Sequence, residues 1–300
     1  MDALSTAARR LAAALEPVAG QVYFSTECHA EYEALGFGAS PGQFNGVPGP
    51  DGPAYFTSRG SVMGQVPGQL VAAAFAVFNP QAVIPSVTFG WTLTDAATIC
   101  AARDRGAIAQ LRRVLGDGPD GLERATELLT RAVAPLRPEG RALFSGLCSL
   151  AVPDDPIGAM WRRADQLREF RGDSHIAAWI SAGFDATEIG LVSELFWGLP
   201  MRTYSRTRAW STDDFDAAEA RLVDRGWVGD GALTPAGREA REAVEVATDR
   251  QMAPAIDALG SDLDELVAIL SPWGAAIRDA HGYPQSGPHD LADAATAARR

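Results

Sequence analysis

Lysine is absent from this sequence: all 26 basic side chains in its 300 residues are arginine. With the abundance of alanine, that bias reflects a GC-rich genome and carries no chemistry of its own. Cysteine is scarce too. Cys28, Cys100 and Cys148 make an odd number with no CxxC spacing, so neither a disulfide framework nor a zinc knuckle is indicated, and a reducing compartment is expected. Long apolar runs are missing: the longest, Leu70 to Phe78, is nine residues and too short for a bilayer. The apolar run behind Arg9 and Arg10 is interrupted by Glu16 and Pro17 before a signal-peptide core can form. These absences predict a cytoplasmic protein with no membrane partner. Positive charge is in deficit, with a formal net charge of −12 and a pI near 4.8. Binding to phosphate backbones is driven by clustered positive charge, so bulk attraction to nucleic acid is excluded and any such role needs a local basic patch. Catalytic signatures are lacking as well: there is no GxSxG elbow and no P-loop, and GFGASPG at 36–42 has neither GxGxxG spacing nor a preceding strand.

What is present is a hydrophobic fraction of 47%, enough for one large domain or two ordinary ones with real cores. The periodicity is helical. Residues 95–115 and 121–137 are amphipathic, and in the second Leu122, Ala125, Leu128, Leu129, Ala132, Val133 and Leu136 recur at spacings of three and four. Residues 38–54 hold five Gly and four Pro and read as a loop, expected to cover a cavity and to move when a ligand enters. After the turn Pro153-Asp154-Asp155-Pro156 a helix is expected from about Gly158 to Phe170, closed by Gly172. A helix pair, 174–183 and 185–198, breaks at Gly183, and Ser211 with Asp214 makes a capping box for a helix over 212–225. Residues 227–234 read as two short strands around Gly229-Asp230-Gly231, the only hairpin expected, and Thr234-Pro235 opens a helix to about 251. A last helix is placed at Asp262–Leu270. The predicted fold is mainly α: an N-terminal helical domain, residues 1–172, then a degenerate winged-helix domain with a short β-hairpin, residues 173–283, and a polar tail, 284–300.

The string RLVDRGWVGDGALTPAGREAR, residues 221–241, resembles the end of the recognition helix, the wing and the following helix of MarR-type winged-helix regulators. The whole chain resembles an uncharacterised actinobacterial helix-turn-helix-fold family, through YFTSRGSVMG (55–64), FNP (78–80) and LREFRGDSH (167–175). That resemblance implies a fold and brings no activity. A DNA-reading winged helix presents basic and amide side chains to the groove. Here Ser211 to Gly231 carries Asp213, Asp214, Asp216, Glu219, Asp224 and Asp230 against Arg221 and Arg225. With Phe215, Ala218 and Leu222 turned inward, the outward face is acidic and repels phosphate; Arg202, Arg206 and Arg208 leave only a weak patch beside it.

The candidate site gathers around RGDSH, residues 171–175. Asp173 would orient His175 as a general base while Arg168 and Arg171 hold a carboxylate or phosphate. Arg59 and His29 are expected to join them, with Tyr55, Ser58, Asn79 and Trp161 completing a ligand-binding lining. A buried guanidinium is costly unless paired or facing a ligand. The same residues also fit a structural ion-pair cluster with no ligand. His29, Asp173 and His175 are ligand types for a metal, but their spacing is no signature, so no metal is assigned and no cofactor is named. Trp91, Trp161, Trp179 and Trp197 read as core rather than as a cofactor box. Two functions follow: a small-molecule-binding protein, of which an enzyme is one form, taking an anionic or polar molecule between the two halves without sequence-specific DNA binding; or a ligand-responsive transcription regulator of MarR type. Either is compatible with a homodimer.

Overall fold

The computed structural model describes residues 2–44 and 46–285, and most of them are helical. Helix α1, Ala3–Gly20, starts at Asp2, whose carboxylate accepts from the Ser5 amide, and α2, Thr26–Glu33, is capped in the same way by Ser25. Inside the Gly/Pro-rich segment, β1 (Gln43–Phe44) and β2 (Val47–Pro48) pair antiparallel, a second hairpin that composition alone reads as loop. Then come α3 (Gly52–Gly60), α4 (Gly68–Phe75), α5 (Pro80–Leu93), α6 (Ala96–Leu115), α7 (Leu122–Val133) and α8 (Ala142–Ser149). Asp51, Asn79 and Asp95 cap α3, α5 and α6. Helix α9, Pro156–Ser181, is the longest, followed by α10 (Ala186–Phe196) and α11 (Thr212–Asp224). The strands β3 (Val228–Gly229) and β4 (Ala232–Leu233) lead into α12 (Pro235–Gln251), α13 (Ala253–Leu259) and α14 (Leu263–Asp279). The fold is mainly α with short hairpins.

Gly172 does not close a helix. It lies inside α9, which continues for nine more residues to Ser181. Glycine in a helix interior costs about 1 kcal/mol relative to alanine, a small sum beside burial on both sides of α9. Trp161, Ala164, Leu167 and Phe170 precede it in the core, and Asp173, Ser174 and Ala178 follow it buried. α9 packs against α1, α6, α7, α8 and α12, so the expected junction of the two halves, at 172 and 173, falls within one continuous helix. The break comes at Gly183, whose φ of +78° suits glycine. At the other end the expected helix 262–270 extends to Asp279, and α13 precedes it. α13 and α14 lie against α1 and α7, in the core of the first half. Of the polar tail, residues 286–300 lie outside the described ones.

Three apolar clusters organise the chain. The largest joins α1, α2, α6, α7, the first half of α9, α13 and α14; every apolar position singled out on α7 from Ala125 to Val133 is buried in it. The second gathers Phe56, Phe75, Phe78, Val83 and Leu143 around α3, α4, α5 and α8. The third lies around α10, α11, the β3–β4 hairpin and α12, where Phe215, Ala218 and Leu222 of α11 meet Val192, Val228 and Val244. Ser211 and Asp214 form the capping box, and Asp230 and Gly231, with φ of 50° and 72°, make the turn of the β3–β4 hairpin. α12 approaches so closely that a Cβ on Gly237 would stand 2.0 Å from the Trp227 carbonyl oxygen.

Candidate functional site

A cleft of about 110 Å³ opens where α1, α3 and α9 meet, and Glu16, Arg59, Arg168, Arg171 and Gly172 line it. Arg168 and Arg171 are three apart on α9 and so share a face. Arg59 reaches them from the end of α3. Gly172 keeps this side of α9 open, since a Cβ there would meet only Glu169 Oε2, at 3.6 Å. Behind the cleft, Glu169 takes Arg59 in two-pronged fashion, Nε at 3.0 Å and Nη2 at 2.8 Å, then Arg168 Nη1 at 3.0 Å and the Tyr23 hydroxyl at 2.9 Å. Burial would raise this carboxyl, but Arg59 and Arg168 outweigh it and hold the group at about 2. Arg168 also donates through Nε and Nη2 to Glu16. Arg59 lies over the Phe75 ring, 4.6 Å from its centre, and donates to the Tyr55 hydroxyl.

Arg171 belongs to a second group of charges, facing α12. Its Nη2 donates to Glu245 at 3.0 Å and lies 3.6 Å from Asp249, too far for a hydrogen bond. Glu245 pairs with Arg241 at 2.7 Å, and Asp249 with Arg9 at 2.8 Å. Burial would raise Glu245, yet Arg241, Arg171 and His175 together hold it well below the usual carboxylate range. Burial dominates at Asp249, whose carboxyl is raised. The Nε–H of Arg171 and Oδ1 of Asp249 are both buried with no hydrogen-bond partner among the described residues. His175 meets the Thr248 hydroxyl at 3.1 Å; that hydroxyl gives its own proton to the Val244 carbonyl, so His175 Nδ1 is the donor.

The expected pairing of Asp173 with His175 does not form. Two positions along a helix turn by about 200°, so the two side chains leave opposite sides of α9. Asp173 turns to α8, where it accepts from the Phe144 amide at 3.0 Å, capping a helix that has no side-chain cap of its own. Burial pushes its carboxyl up to about 7, against the Phe144 bond. His29 is buried with Nε2 on the Tyr23 carbonyl at 3.2 Å, and burial lowers its pKa. Trp161 is core: its indole donates to the Ala19 carbonyl and Arg103 lies over its ring. Asn79 caps α5, donates to the Ala209 carbonyl and takes its place against the segment just before α11, while Ser58 donates to the Tyr55 carbonyl. Arg59, Arg168 and Arg171 thus converge; Asp173, His175, His29, Asn79 and Trp161 serve other places. Sequence reasoning missed Glu16, Tyr23, Glu169, Glu245 and Asp249, the partners of those arginines. Only Glu169, beside Arg168, offered a local signal.

Around α11, Arg202 pairs with Asp216 and Glu219, Arg221 with Asp185 and Glu188, and Arg225 with Glu188. Asp213, Asp224 and Asp230 are exposed. A larger cleft, about 400 Å³, lies beneath the β1–β2 hairpin, with Gln43, Pro48, Gln110, Arg113 and His281 on its walls. Among the described residues no helix is long and apolar enough to cross a membrane.

Residues 8–284 match a family described as a helix-turn-helix family. No curated protein and no solved structure matches the chain.

Proposed function

This chain belongs to that helix-turn-helix family, and from this premise we propose that it is a small-molecule-binding protein whose ligand, small and anionic or strongly polar, enters the cleft between α1, α3 and α9. The observation that carries the reading is Arg171: it lines the cleft, and its buried Nε–H has no partner among the described residues. An unsatisfied buried donor costs about 1–3 kcal/mol, and since this atom is closed to solvent an acceptor on a ligand relieves it once the guanidinium turns toward the cleft. Arg59 and Arg168 are held on Glu169 and Glu16; they form a rigid, charge-balanced wall rather than free cations. A volume of about 110 Å³ is below the roughly 300–1,000 Å³ of pockets for larger ligands, which points to a molecule of few heavy atoms, a short carboxylate or an oxyanion. Calorimetric titration with phosphate and with acetate tests this. Binding by the wild type that is lost in a folded Arg171→Ala variant is expected; equal binding by the variant refutes the site.

A second reading, a MarR-type ligand-responsive regulator, is favoured by the junction before α11. Asn79 takes hold of Ala209, its amide donates to the Arg208 carbonyl, and the Trp210 indole donates to Val77, so the first half of the chain touches the start of the presumed recognition helix. The paired arginines and exposed acids of α11 argue for a surface that does not read a DNA groove. Retention of duplex DNA at low salt separates the two readings.

A further inference from the structure

Resting on that reading of the cleft, we infer that Arg171 is a shared cation for which the cleft's ligand and the carboxylates of α12 compete, so that occupancy loosens α12 and the wing that precedes it. Three observations lead there. Arg171 stands between the cleft and α12, and it serves the carboxylates incompletely: Nη2 reaches Glu245 at 3.0 Å and Asp249 only at 3.6 Å, while Nε–H and Asp249 Oδ1 remain unsatisfied. Its release strands neither acid. Glu245 keeps Arg241 at 2.7 Å and Asp249 keeps Arg9 at 2.8 Å, so each has a second cation already in place. The other two arginines of the cleft lack that freedom: Arg59 is gripped by Glu169 at two nitrogens, and Arg168 is shared between Glu16 and Glu169.

Other polar links also join α12 to α9, among them His175 to Thr248 and Gln251 to the Ser174 carbonyl. At its N-terminus, Thr234 caps α12 and closes the β3–β4 hairpin, and Gly237 seats the helix directly on Trp227. A ligand that draws Arg171 inward therefore removes one tie from the helix on which the wing is built. Linkage fixes the sign: if α12 carboxylates compete with the ligand, weakening them tightens ligand binding; if they only orient Arg171, weakening them loosens it.

The test uses the full chain, inorganic phosphate as probe, and the variants Glu245→Gln, Asp249→Asn and Arg171→Ala. Calorimetry is expected to show phosphate bound several-fold more tightly by Glu245→Gln than by the wild type, with Asp249→Asn as a second measurement if Glu245→Gln does not fold. Hydrogen exchange by mass spectrometry is expected to show faster exchange over 235–251 when phosphate binds the wild type. In Arg171→Ala that region should already exchange faster, without response to phosphate. Equal or weaker phosphate binding by both carboxylate variants, or unchanged exchange over 235–251 at saturation, overturns the competition while leaving the cleft as a binding site. No phosphate binding by the wild type overturns the cleft reading and the competition together.

Discussion

Asp173 makes the stability of this protein depend on pH in a direction opposite to that of most carboxylates. The residue is only 5% exposed, and burial outweighs the backbone amide bonds from Phe144 and Leu143, so the carboxyl rises from its ordinary 3.8 to about 7 in the folded chain. The folded state therefore keeps a proton that the unfolded state releases. This contribution to stability is fully present below the ordinary carboxylate value and is lost as pH rises through about 7. At about 1.4 kcal/mol per unit, a rise of this size is worth at most roughly 4 kcal/mol between acid and neutral conditions. Asp173→Asn keeps an oxygen for the Phe144 amide and removes the proton, so the variant should gain on the wild type as pH rises. Asp104 and Asp249 are also raised by burial, but both chains carry them, and the difference between the two curves isolates Asp173. Urea unfolding followed by circular dichroism at intervals from pH 5 to 8 supplies those curves. A difference that is flat with pH, or that turns against the variant as pH rises, would falsify this account of Asp173.

Three further outcomes are expected. Glu169→Leu should cost up to about 3–5 kcal/mol in urea unfolding, because it leaves the half-buried Arg59 with the Tyr55 hydroxyl as its remaining hydrogen-bond partner among the described residues, and a loss below about 1 kcal/mol would show that the guanidinium finds water from the cleft. Gly237→Ala should disrupt the β3–β4 hairpin, since its Cβ meets a backbone oxygen at 2.0 Å; near wild-type thermal stability would mean that α12 shifts freely. Duplex DNA should bind no more tightly than a non-specific contact, and nanomolar, sequence-dependent gel shifts at physiological salt would contradict the acidic face of α11.

The periodic and punctuating residues carry most of the fold that can be read directly. The Ser211–Asp214 box, the Asp-Gly turn of the β3–β4 hairpin and the three-and-four spacing on α7 each specify a local conformation, and each is found where the pattern places it. Gly172 misleads because it is a local helix breaker inside a helix whose length is set by packing on several neighbours, and a propensity of about 1 kcal/mol does not decide against that. The site is less legible because its geometry is made of distant pairs: Arg59 with Glu169, Arg168 with Glu16, Arg171 with Glu245, Arg9 with Asp249. Arginines could be singled out from the sequence as too many for Asp173 alone, but their carboxylates lie on α1, α9 and α12, with no spacing to announce them. That pairing changes what the arginines mean. All three at the cleft are paired, and on the proposed reading selectivity for a ligand rests on Arg171, whose acidic neighbours Glu245 and Asp249 each keep a second cation in Arg241 and Arg9.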